Sequence, residues 1–203
     1  MKFIPHSMII PISTIFYRVI KVFEQIILEN WPRVDIVLEN RYGTRYRGGN
    51  FLLSKFNDLQ ELVKRIEQRS LRLDLALDIP QLFTAHGGPE NFSCQDLEKF
   101  MQKLKSIMHK VKSIHLWGKK RTNNGRIAPH AGDLNSYFNN DIDKKKIFLE
   151  SISELLMDGT KRYFVPEVNS SSEDLQSIVR DLEEAEIEFI NIDVREFFFD
   201  DPD

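Results

Sequence analysis

"LRLDLALDIPQLFTAH", residues 71–86, decides the fold. Leu71, Leu73, Leu75 and Leu77 alternate with other residues, the period of a strand with one apolar face. The run ends on Asp78, followed by Pro80 and, farther on, His86. A carboxylate at the tip of a buried strand is costly to desolvate unless something compensates it. A helix N-terminus, a solvated rim or a cation would each serve.

Working outward, five other short apolar runs stand beside this one: "KFIPHSMII", "VDIVLEN", "VKSIHLWG", "RYFVPEVN" and "IEFINIDV". Stretches of helical period or polar loops separate them. Ser13 or Thr14 is expected to cap a first helix, with Ile15, Val19, Val22, Phe23 and Ile26 on its packed face. Asn57 or Ser54 is expected to cap "DLQELVKRIEQR". "SCQDLEKFMQKLKSIMHK", "KKKIFLESISELLMDG" (closed by Gly159) and "SSEDLQSIVRDLEEAE" supply three more helices, and the stretch after "VKSIHLWG" through "NNGRIAPHAGDLNSYF" reads as a long polar loop.

Strand alternating with helix means βα units and a parallel sheet. No linker or low-complexity segment divides the chain, so residues 1–203 form one expected domain. Neither GxGxxG nor a phosphate-binding P-loop is present, which weakens a doubly wound nucleotide-binding fold. Polar residues recur at the C-terminal ends of the strands, where (β/α) barrels carry their chemistry. The expected fold is therefore α/β, an incomplete TIM-type barrel with about six parallel strands.

A formal charge of −3 and a pI of about 6.0 provide no global attraction to nucleic acid or to an anionic membrane. The single cysteine, Cys94, can form no internal disulfide and reads as a packed thiol, favouring a reducing compartment. Pro5, His6, Pro11, Arg18 and Lys21 interrupt the apolar N-terminus, so no membrane span is expected. The expected setting is cytoplasmic.

Four polar residues end consecutive expected strands: Glu39 in "VLEN", Asp78 in "LALDI", His115 in "SIHLWG" and Glu167 in "FVPEVN". Three carboxylates and an imidazole gathered at one rim would repel one another unless a cation held them. Oxygen ligands with one histidine suit Mn²⁺, Mg²⁺, Co²⁺ or Zn²⁺. The alternative, that each residue is a helix cap or a solvated rim group, stays open on the pattern alone.

"DIVLEN", "LALDIPQLF", "SIHLWGKK" and "YFVPEVN" resemble strands four to seven of the xylose-isomerase-like TIM-barrel superfamily, which holds sugar isomerases, epimerases and apurinic-site endonucleases. The resemblance, over about residues 2 to 195, implies a shared divalent-metal site on Glu39, Asp78, His115 and Glu167. The endonuclease branch is similar in its "LEN" before a Gly-rich loop and in a second histidine, His130, placed 15 residues after His115. His6 in "FIPHS" resembles a histidine that ligates a further metal there. Gln81 stands where that branch has a histidine and Ala128 where it has an aspartate, so a full trinuclear centre is not expected. The first two βα units of such a barrel are also missing, which implies truncation, a smaller closed barrel, or a homo-oligomer covering the open sheet edges.

Lys119, Lys120, Arg121 and Arg126 follow Trp117, and Arg41, Arg45 and Arg47 follow Glu39. These basic loops would suit a phosphate or phosphorylated sugar, or are simply solvated. The spacing of Arg121 from His115 resembles the substrate arginine of the epimerases. Arg121, Lys119, Gln81 and Trp117 are the expected substrate contacts. His130 is a candidate metal or substrate contact, and His86 a candidate replacement for the missing histidine.

The function expected first is metal-dependent isomerisation or epimerisation of a sugar or polyol, with Glu39 and Glu167 exchanging protons with the substrate. A hydrolytic variant cleaves a phosphodiester, with nucleic acid as a less favoured partner. A non-catalytic truncated barrel, acting as a binding or structural subunit, is the reading from another class.

Overall fold

The structure, a computed structural model, describes residues 12–42, 53–122 and 124–190, with side chains from residue 18 onward. The first expected strand with His6 and the Gly-rich loop with Arg45 and Arg47 lie outside the described residues. Of the sixth expected strand, residues 187–190 carry no strand pairing.

Among the described residues, strands β1 (Ile36–Glu39), β2 (Leu73–Asp78), β3 (Val111–Leu116) and, separately, β4 (Lys119–Arg121), β5 (Ile127–Pro129) and β6 (Tyr163–Pro166) form two sheets. The larger is parallel, in the order β1-β2-β3-β6. Closure into a barrel is not shown: among the described residues β1 and β6 are its two edges. The smaller sheet is an antiparallel β4–β5 hairpin inside the stretch read as a polar loop. Lys-Lys-Arg carries no apolar alternation, so only the local turn announces this hairpin. In that turn the Gly125 N–H donates to Thr122 O at 2.8 Å, with Gly125 at φ +79°.

Helices α1 (Ile12–Asn30), α2 (Phe56–Gln68), α3 (Ile79–Ala85), α4 (Cys94–Leu104), α5 (Leu134–Tyr137), α6 (Ile142–Leu156) and α7 (Ser172–Glu184) complete the chain. The short α3 and α5 are absent from the sequence reading, being too brief for a helical period. Leu73, Leu75 and Leu77 of β2 join Leu59, Leu62 and Ile66 of α2, Leu97, Met101 and Leu104 of α4, and Phe148 and Ile152 of α6 in one buried apolar cluster. Burying such a side chain contributes roughly 1.5–3 kcal/mol, so this cluster sets the layer of helices on the sheet.

Three local expectations are corrected. The backbone before α2 is capped by the Asp58 carboxylate, whose Oδ2 accepts from Lys55 N–H at 2.8 Å and Ser54 N–H at 3.2 Å, rather than by Asn57 or Ser54. On α1, Val19, Val22, Phe23 and Ile26 are all at least half exposed, while Ile20 and Glu24 face the body of the protein. Glu24 is drawn inward because its carboxylate accepts the Arg72 N–H just before β2. His86 stays away from the strand-end carboxylates: its Nε2 accepts the Phe56 N–H at 3.2 Å, at the start of α2, and its ring lies against Phe100.

Arg162 fastens β6 beside β3. Its guanidinium donates to Val111 O at 3.0 Å, Met108 O at 3.0 Å and Asp158 Oδ1 at 2.8 Å. No described helix is long and apolar enough to cross a membrane.

Replacing Arg162 by Met removes the guanidinium donor from the Val111 carbonyl, leaves the Met108 carbonyl with the Val111 N–H alone, and unpairs Asp158. The expected loss is about 2–3 kcal/mol, read as a lower urea midpoint. Burial, then the Lys55 and Lys103 charges, lower the His86 pKa from 6.5, against a weaker opposing effect of Asp58. The unfolded chain then binds the proton more readily than the folded one, so this contribution is present above about pH 6.5 and is lost as pH falls toward the lowered folded value. Denaturation series from about pH 8 to about pH 5 should slope less for His86→Gln than for the parent chain.

Candidate metal centre

Register places the four strand-end residues on one face. Glu39 is level with Ala76, two residues before Asp78; Asp78 is level with His115; His115 is level with Val165, two residues before Glu167. Side chains alternate faces along a strand, so Glu39, Asp78, His115 and Glu167 share one face. The β2–β3 pairing is decisive. Leu75 pairs with Val111 but Ala76 pairs with Ser113, so β3 contributes one extra residue, Lys112. Without that shift Asp78 would face Ile114, and the histidine would point into the helical layer.

Each of Glu39, Asp78, His115 and Glu167 offers one ligand atom, and these atoms lie within 4.8 Å of one another. Three carboxylates and an imidazole at such separations match the donor set of a divalent cation, so these residues could hold one. The expectation that the four residues converge is met.

Asp78 also caps a helix. Its Oδ1 accepts the Gln81 N–H at 2.8 Å at the start of α3, and Pro80 occupies the first turn, where a missing N–H costs nothing. The Gln81 side-chain amide donates to Asp78 Oδ2 at 2.8 Å and to Glu39 Oε1 at 3.3 Å. Its oxygen accepts the Tyr42 N–H at 2.9 Å. The Trp117 indole N–H donates to both Asp78 oxygens, at 3.1 and 3.0 Å. Burial raises the Asp78 pKa, the Gln81 and Trp117 hydrogen bonds oppose that rise, and the Glu167 charge adds to it.

His115 Nδ1 lies 2.9 Å from Glu167 Oε1, and His130 Nδ1 lies 3.1 Å from Glu167 Oε2. His130 reaches this position through a tight backbone crossing. A Cβ on Gly118 would come within 2.4 Å of the Gly132 carbonyl, so only glycine allows the two loops to meet there. The Asn169 N–H then donates to His130 O at 2.7 Å, and His130 is held at φ +57°. Its ring packs on Trp117, with centroids 4.5 Å apart.

The expected substrate contacts divide. Gln81 and Trp117 touch the centre directly. Lys119 pairs with Glu90 at 2.7 Å and lies over the Tyr137 ring. Arg121 sits exposed on the hairpin and donates to Gly125 O at 3.0 Å. Arg41 is exposed and stands 3.7 Å from Glu39 Oε1.

Two residues that sequence reasoning passed over support the site. Asn40, fully buried, donates to Asp78 O and accepts the Asp78 N–H, both at 2.9 Å, which extends the β1–β2 ladder by a side chain. Its signal was an asparagine directly after a strand-end glutamate. Tyr137, buried on α5, packs edge-on against Trp117, and burial with the Asp78 and Glu90 charges raises its pKa well above the usual value.

No protein-family model and no curated protein matches the chain. Among solved structures, the chain is similar to the crystal structure of AsfvAP:AG, AsfvAP being an African swine fever virus AP endonuclease. The TM-score is 0.53 at 17% identity, covering 81% of this chain and 59% of that one. At that identity the likeness is one of fold: α/β with a parallel sheet. The chain spans about 59% of the length of the structure it matches.

Asn40→Ala leaves the buried Asp78 N–H unpaired and takes one donor from the Asp78 carbonyl, which keeps its bond into α3. The expected cost is about 2–3 kcal/mol, read by urea denaturation.

Proposed function

We propose that this protein is a metal-dependent phosphodiesterase of the apurinic-endonuclease kind, acting on a nucleic-acid backbone. The observation that carries this reading is the convergence of Glu39, Asp78, His115 and Glu167 at the C-terminal ends of neighbouring parallel strands. The fold likeness to an AP endonuclease supports it.

Glu39, His115 and Glu167 would hold the cation, with Asp78 beside them. When bound, it supplies Lewis-acid polarisation of a phosphoryl oxygen and activation of a water at neutral pH. Glu167 joins His115 to His130, so a proton can pass between Glu167 Oε2 and His130 Nδ1 without rearrangement. Arg41 after β1, with Lys120, Arg121 and Arg126 on the hairpin after β3, are exposed cations beyond the same strand ends. A local basic rim attracts phosphates even on a chain of net charge −3. The sugar isomerase or epimerase reading rests on the same ligands, and the fold comparison adds nothing to it. The four-stranded sheet is read as part of an incomplete barrel in a single cytoplasmic domain, its open edges available to a second copy.

The test is incubation of the purified chain with a duplex containing one abasic site and Mn²⁺, Mg²⁺, Co²⁺ or Zn²⁺ in turn. Metal-dependent nicking is expected, falling at least about 100-fold in Glu167→Gln. Binding should weaken steeply with salt, and less steeply when Lys120, Arg121 and Arg126 are replaced by Ala. Absence of nicking with every cation, together with salt-independent binding, would overturn the proposal.

A further inference from the structure

Trp117 occupies an unusual place. Its indole nitrogen is nearly equidistant from the two Asp78 oxygens, at 3.1 and 3.0 Å, so one N–H is shared between both. A cation chelated by both oxygens would be shared between them in the same way. An ionised carboxylate has about four acceptor directions. The Gln81 N–H takes one on Oδ1, the Gln81 side-chain amide takes one on Oδ2, and the bifurcated indole takes the remaining pair.

The indole is not free to swing aside. It is 3% exposed, stacks on His130 at 4.5 Å and meets Tyr137 edge-on at 6.1 Å. Glu39 and Glu167 are less encumbered. Glu39 Oε1 has one long contact from Gln81, at 3.3 Å, and an exposed arginine, while Glu167 is approached by His115, itself a candidate ligand, and by His130.

We infer that Trp117 is a positioning residue that withholds Asp78 from the cation: the indole N–H stands in for a metal on the Asp78 carboxylate, and the ion is carried by Glu39, His115 and Glu167. The inference rests on reading this centre as a cation site. The physical consequence is a weaker and more exchangeable site than four direct ligands would make. Asp78 keeps its negative charge near the ion while its geometry is set by protein donors. A neutral donor in place of a cation also removes the reason for a second ion at Asp78, so the centre takes one.

The test is calorimetric titration of the full chain with Mn²⁺, without any substrate. One ion per chain is expected. Trp117→Phe, which keeps an aromatic side chain and removes the N–H, should tighten binding by roughly tenfold, by releasing Asp78 to the ion. Asp78→Asn should weaken binding less than about threefold in the parent chain, but by more than about tenfold in the Trp117→Phe background. A second measurement needs no variant. The Trp117 indole N–H should exchange slowly with solvent deuterium in ¹H–¹⁵N spectra, unlike that of the exposed Trp31, and stay protected after addition of Zn²⁺. Loss of that protection on Zn²⁺ addition, or loss of Mn²⁺ binding in Asp78→Asn alone, would overturn the inference while leaving the cation site standing. Absence of Mn²⁺ binding in both the parent and Trp117→Phe chains would overturn the site itself and the inference with it.

Discussion

A buried carboxylate, Asp78, is the group around which the rest of the site is arranged. Leaving it charged in the interior is costly, and the chain answers with donors from two elements. Gln81 supplies its backbone and side-chain N–H groups from α3, and Trp117 supplies its indole from the loop after β3. Asn40 holds the backbone of the same residue from β1. A single acid thereby binds three consecutive βα units together.

The second constraint is the sheet register. One extra residue in β3 turns His115 toward Asp78, and without it the imidazole would be buried among leucines. Glu39 and Glu167 need no such device, because their strands pair with their neighbours in even register. The edges of the sheet are its weak points. β6 is held by the Arg162 guanidinium bridging Met108 and Val111, and β1 by Asn40, by the Gln81 amide on Glu39 and by the parallel ladder.

Of the two answers to why Asp78 is placed at a strand tip, helix cap or metal ligand, the hydrogen bonds favour the first. Gln81 and Trp117 together engage both oxygens, although the carboxylate lies within 4.8 Å of the other candidate ligand atoms. Gln81 plays a structural part: its amide ties Asp78 to Glu39 and to the Tyr42 backbone. The basic loop splits in a similar way. Lys119 is neutralised by Glu90, while Lys120, Arg121 and Arg126 face solvent. Their direction depends on a hairpin that a run of charged residues does not announce.

Alternation of leucines in β2, the βα order and the four polar residues at strand ends were legible because they depend on local period, and local period is written residue by residue. Helix caps were legible only in part. Ser171 caps α7 as a serine should, whereas before α2 a carboxylate inside the first turn does the work that flanking Asn57 and Ser54 were expected to do. The packed face of α1 was misjudged because amphipathicity names the apolar side, and the partners available to it decide which side is covered. Tertiary structure alone decided the β3 register shift, the clamp of Asn40, the return of His130 across Gly118 and Gly132, and the claim of Trp117 on Asp78. Each of these joins residues far apart in the chain through one hydrogen bond or one close approach. No periodicity records such a contact, because its energy exists only once the strands are paired.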